Sequence, residues 1–125
     1  MTPLVFVLVA LAGGLGAATR LLLDGLIRTR VSANMPWATI IINVTGSFAL
    51  GLLAGLAAGQ LVSDASFAIV GAGFLGGYTT FSTASFETVR LLQERKWVAG
   101  TFNALGVLAA TTLVAGVGLW IGSSL

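Results

Sequence analysis

A chain of 125 residues, 57% hydrophobic and only 8% charged, with a mean hydropathy of +1.02, lies far from the roughly 25% charged usage of soluble domains and reads as a membrane protein. It has neither cysteine nor histidine, which excludes thiol nucleophiles, imidazole bases, disulfides and the usual zinc or haem ligands. The net charge of +2 comes from six basic and four acidic residues, too dispersed for a nucleic-acid footprint, so the basic balance bears on topology instead.

A helix needs about 20 mostly apolar residues to cross roughly 30 Å of hydrocarbon. Four segments qualify: residues 3–23, 36–59, 66–92 and 97–121. Backbone groups in lipid must be satisfied internally and no alternating strand pattern appears, so the prediction is an all-α membrane protein of four transmembrane helices in one domain. A cleaved secretion signal competes for the first segment, but that segment lacks a basic start and Arg20 falls where cleavage would be expected. GLGAAT at 14–19 half resembles a dinucleotide-binding fingerprint, yet the last glycine and a preceding strand are missing. Arg20 and Asp24 are four apart at the helix end, where snorkelling and local pairing are ordinary and a vestibule role for Arg20 stays open.

Small residues recur every four positions as Ala10, Gly14 and Ala18 in the first segment and as Gly51, Gly55 and Gly59 in the second. Such faces let helices approach closely where lipid offers no hydrophobic driving force. Four short helices make a thin bundle, so an oligomer is expected. The connectors at 24–35 and 93–96 hold Arg28, Arg30, Arg95 and Lys96, while both chain ends and the middle connector hold no Lys or Arg side chain. By the positive-inside rule the N- and C-termini lie outside the cell membrane and the two basic connectors in the cytoplasm.

Asn43 lies deep in the second segment, after Ile40, Ile41 and Ile42. A buried amide left without partners costs about 1 to 3 kcal/mol per group, so it either bonds a neighbouring helix or aims a donor at an anion. The third segment contains GFLGGYTTFST at 73–83. Gly76 and Gly77 each weaken a helix by roughly 1 kcal/mol relative to alanine, and the hydroxyls that follow can satisfy a backbone released at a break. The break is expected between Gly76 and Thr79. It would expose carbonyls on one side and N–H groups on the other, a cation site beside an anion site, and the positive edge of the Phe81 ring can meet an anion without a formal charge. Farther on, Glu87, Arg90 and Glu94 are spaced three and four apart as in a solvated ion-pair ladder. All four carboxylates fall at or near segment ends, which counts against a proton-coupled small multidrug exporter.

These motifs, GGLGAATR at 13–20, Pro36 with Asn43 and GSF at 46–48, and GFLGGYTTFST with Glu87, make the chain resemble the Fluc/CrcB fluoride channels over nearly its full length. The third motif is highly specific. The resemblance implies a four-helix protein that assembles as an antiparallel dimer, passes fluoride passively out of the cell and so lowers cytoplasmic fluoride, and holds a structural sodium ion at the dimer centre. It assigns the sodium to the carbonyls of Gly76 and Thr79 and of the same positions in the second subunit. It assigns the fluoride pathway to Asn43, Phe81, Ser82 and Thr83, with Thr111 continuing a polar track, and leaves Arg20 and Glu87 in structural or vestibule roles. No enzyme chemistry is implied.

One departure stands out. The family pattern continues with a second aromatic where this chain has Ala84, and Phe86 lies about 200° around the helix, so it cannot substitute. Together with a Lys/Arg bias of four to none, which favours one insertion direction, this points to a paralogue as the antiparallel partner in preference to a second copy. A non-conducting subunit of a heterodimeric channel is the remaining alternative.

Overall fold

The computed structural model describes residues 1–31 and 34–125; Ser32 and Ala33, in the first connector, lie outside the described residues. The described chain is all-helical. Helix α1, Pro3–Arg28, begins with Thr2 accepting from the Val5 N–H at 3.2 Å and Pro3 in the first turn, a start that costs no backbone donor. It runs past Leu23 because Asp24 and Arg28 pair one turn apart at 2.9 Å. Helix α2, Trp37–Ala58, follows Pro36. Residues 64–78 form α3, capped by Ser63 and carrying Asp64 in its first turn, where the helix dipole favours a carboxylate. Helix α4 is Phe81–Gln93 and α5 is Trp97–Ser123.

Among the described residues, α1, α2 and α5 are each long and apolar enough to cross a membrane. Helices α3 and α4 make the fourth, bent helix; at about 1.5 Å per residue the two halves together exceed the roughly 30 Å of hydrocarbon. This is a multi-pass membrane protein. Its core is small, with Ile42, Leu75 and Tyr78 buried and Leu23, Ile27, Ala49 and Phe74 packed around them. Large apolar side chains such as Leu4, Leu11, Leu22 and Leu113 point outward, as lipid permits.

The bundle is held instead by backbones in contact. Helices α2 and α5 pack along their length, and α1 packs on α3. A methyl on Gly51 would strike the Ala115 carbonyl and one on Gly55 would strike Leu119 and Gly122, while Gly118 and Gly122 press back on Phe48 and Leu52. On α1 the contact face differs from the expected one. Gly14 has open space and Ala10 and Ala18 are exposed, whereas Gly16 meets the Phe74 carbonyl and the Gly13 carbonyl meets Gly77. Gly59 caps α2 outside the contact. Gly51→Ala is therefore expected to destabilise the fold by about 1 to 3 kcal/mol. Gly14→Ala should be neutral or stabilising by up to about 1 kcal/mol; thermal unfolding in detergent compares the two.

Helices α3 and α5 each contain a wider, π-type stretch, Ala68–Leu75 and Phe102–Gly106. Such bulges disturb the regular backbone ladder and recur at functional sites. Here both border the same groove.

Candidate ion pathway at the helix break

The chain leaves helical geometry at Thr79 (φ −82°, ψ 160°) and Thr80 (φ −148°, ψ 119°). Gly76 and Gly77 stay helical, so the break comes later than glycine propensity indicated. Its cause lies on another helix. The Thr80 N–H donates to Asn43 Oδ1 at 2.8 Å, and Asn43 Nδ2 donates to the Thr80 carbonyl at 2.9 Å. One side chain of α2 thus replaces both helical partners of Thr80, and β-branched threonines accept the extended backbone readily. Gly77 serves the contact with Gly13 instead.

The break frees backbone groups in a directed way. In an unbroken helix the Thr80 N–H would bond the Gly76 carbonyl, but Asn43 has taken it. The Gly77 carbonyl accepts from Arg20 Nε at 3.2 Å, so Arg20 caps the negative end of α3. Thr79 Oγ1 returns to the Leu75 carbonyl at 3.0 Å. Behind it the Tyr78 hydroxyl meets Thr45 Oγ1 at 3.0 Å. On the other side Thr80 caps α4, its Oγ1 accepting from the Thr83 N–H at 3.2 Å, with the hydroxyls of Ser82 and Thr83 at 3.4 and 3.1 Å. Carbonyl oxygens and hydroxyl-rich N–H groups therefore sit on either side of two residues.

Part of the break, including Thr80, borders a groove of about 820 Å³ between α2, α3, α4 and α5. Asn43, Gly76, Thr79, Phe81 and Thr111 all line it, as does Ala84. The Phe81 ring is 87% exposed there. Ser82 and Thr83 stand at the start of α4, outside the groove lining. Thr111 bonds the Leu108 carbonyl of its own helix at 3.0 Å. Three buried or half-buried polar residues of the groove escaped the sequence reading: Ser85, Thr88, and Asn103, only 5% exposed. An asparagine inside an apolar segment, the cue that singled out Asn43, marks Asn103 equally.

The charged residues arrange themselves differently from the expected ladder. Arg90 and Glu94 pair at 3.4 Å, but Glu87 turns to Arg28 of α1 at 3.3 Å. Arg28 also holds Asp24, which leaves Arg20 to the Gly77 carbonyl. The second oxygen of Glu87 is buried without a protein partner among the described residues. In the connector after α4, Lys96 and then Arg90 hold the Glu94 carboxyl below its ordinary pKa.

A family model described as CrcB-like protein, Camphor Resistance (CrcB), matches residues 7–122. The chain belongs to the CrcB family. It is 52% identical over 122 residues to a protein of Leifsonia xyli subsp. xyli named fluoride-specific ion channel FluC 1, a match covering 98% of this chain and 89% of the relative. It is 45% identical over 116 residues to the fluoride-specific ion channel FluC 2 of Cutibacterium acnes, covering 92% and 94% of the two chains. With the fluoride-specific ion channel FluC of Syntrophotalea carbinolica it shares 38% identity over 121 residues, covering 95% and 98%. These three relatives are all named as fluoride-specific ion channels.

Proposed function

We propose that this CrcB-family protein is a channel, not an enzyme, that lets fluoride leave the cell passively across the plasma membrane. The observation that carries the reading is the Asn43 staple, which holds a helix open at Thr80 beside a groove that Asn43, Gly76, Thr79, Thr80 and Phe81 line. Asn43 keeps a second N–H for an anion, since one donor suffices for Thr80. The Phe81 ring edge and the Thr111 hydroxyl continue the lining of the fluoride path, with the hydroxyls of Ser82 and Thr83 beside it at the start of α4. None brings a full charge, so the anion is solvated without being trapped.

A structural sodium ion fits the other side of the break. The Gly76 carbonyl has lost its helical donor and lines the groove together with Thr79, and hard carbonyl oxygens suit an alkali cation. Two carbonyls per chain leave the shell incomplete, which the same positions of an antiparallel second subunit would complete. That subunit would also cover the exposed Phe81. Ala84 and the one-sided Lys/Arg distribution favour a paralogue inserted the other way, with both termini of this chain outside. Arg20 and Glu87 are structural here, one capping α3 and the other tying α4 to α1.

Fluoride-electrode recordings from liposomes carrying the chain with an oppositely inserting partner test this. Fluoride efflux without proton counterflow, reduced when the protein is prepared in sodium-free buffer, is expected. No fluoride efflux from any pairing, or efflux tied to proton exchange, refutes the channel.

A further inference from the structure

Thr80, the cap of α4, and Ala84 and Thr88 within α4 stand four apart along one side of it. That face is gripped at both ends by asparagines from different helices. Asn43 of α2 holds the Thr80 backbone, and Asn103 of α5 donates through Nδ2 to Thr88 Oγ1 at 2.8 Å and, more weakly, to the Ala84 carbonyl at 3.4 Å. The Thr88 hydroxyl in turn donates to the Ala84 carbonyl at 2.9 Å. All five residues line the groove.

The two amides are used in opposite senses. Asn43 spends its oxygen on the Thr80 N–H and retains a donor. Asn103 commits its Nδ2 group to Thr88 and Ala84, and its Oδ1 takes no protein donor among the described residues. That oxygen is also absent from the fully enclosed atoms lacking a partner, so it keeps some exposure, and Asn103 is a lining residue of the groove. A residue 95% buried by its 5% exposure thereby presents a bare acceptor to an apolar-walled channel, where leaving it dry costs about 1 to 3 kcal/mol. An acceptor repels a bare anion and binds the hydrogens of water. The loosened turn at Phe102–Gly106 is what brings Asn103 round to this face.

Resting on the channel reading above, we propose that Asn103 and Thr88 form a second polar station of the pathway, where Asn103 Oδ1 holds water that accompanies the anion. Eight residues separate Thr88 from Thr80, so the station stands about 12 Å along α4 from the break. It lies toward the basic connector after α4. The anion meets donors at the break and hydrated acceptors at the second station, so its dehydration is confined to the short stretch between them.

The test uses the conducting assembly and the substitution Asn103→Asp. A carboxylate at the station repels the anion until it is protonated, so the flux of N103D relative to the unsubstituted protein should be about tenfold low near pH 8 and rise as pH falls through the carboxylate range. Subtracting the flux of protein-free liposomes at each pH, before the ratio is taken, removes the leakage common to both proteins. A ratio that stays flat with pH overturns the proposal, because a merely structural residue gives no titration. Should N103D not assemble, Thr88→Val decides: a loss of about threefold or more supports the station, and unchanged flux overturns it. Thr112→Val, on an exposed position of α5 outside the groove lining, should match the unsubstituted protein. Absence of fluoride flux from the unsubstituted assembly would instead refute the channel itself, which keeps the two failures apart.

Discussion

Asn43→Ala is expected to lower fluoride flux by at least about tenfold, because the variant loses both the donor offered to the anion and the two bonds that hold the helix open at Thr80. The loss has a structural route as well as a direct one. With Asn43 gone, the Thr80 N–H is free to return to the Gly76 carbonyl, which closes the helix across the break. Closure removes the freed carbonyl on the cation side and the exposed donors on the anion side together. The variant should therefore fold, keep or gain helical content by circular dichroism, and lose both flux and its dependence on sodium. Asn43→Asp separates the two routes. It keeps an acceptor for the Thr80 N–H, preserving the break, but removes the donor to the Thr80 carbonyl and adds a charge facing the anion. Flux should then fall while sodium still protects the protein against thermal unfolding. Unchanged flux in Asn43→Ala would remove Asn43 from the pathway.

This double role also explains what could and could not be read from the residues. Apolar length showed the helices, and the oddity of Asn43 and of GGYTTFST in a charge-free stretch marked where the helix breaks beside the groove. The break falls at the far end of the expected range, at Thr79 and Thr80, because propensity treats glycine as a helix breaker, whereas Gly77 is small for the sake of the Gly13 carbonyl and stays helical. Tertiary contact overrode local preference. The same blindness put the α1 packing face on Gly14 in place of Gly13 and Gly16: a four-residue repeat cannot tell which face meets a neighbour. Arg20 resembled an interfacial residue, since nothing local announces a bond to a carbonyl 57 positions away. Asn103 was legible by the rule applied to Asn43, but the wider turn that swings it into the groove leaves no mark in composition.

Ala84→Phe is expected to raise the fluoride flux of this chain, reconstituted alone, by about tenfold or more, a change worth about 1.4 kcal/mol in the barrier. Ala84 lines the groove and Phe81 is already exposed into it, so a second ring has room in the space of about 820 Å³. The native ring nearby cannot serve: Phe86 is two residues on, about 200° around α4, and is 68% exposed outside the groove lining. In an antiparallel pair each pathway would draw rings from both subunits, so a homodimer of this chain lacks one in each. The substitution also separates two causes that the sequence presents together. Reconstitution from detergent lets chains meet in either orientation, so the Lys/Arg bias, which acts during insertion in the cell, no longer limits pairing. Low flux from the unsubstituted chain alone, restored by Ala84→Phe or by an oppositely inserting paralogue that carries the aromatic, would place the defect at position 84. Brisk flux from the unsubstituted chain, with no gain from Ala84→Phe, would show that the missing ring is dispensable. The orientation bias would then stand alone as the reason for a different partner, and tagging of the termini in cells would test it directly: both ends uniformly outside sustain it, and mixed exposure ends it.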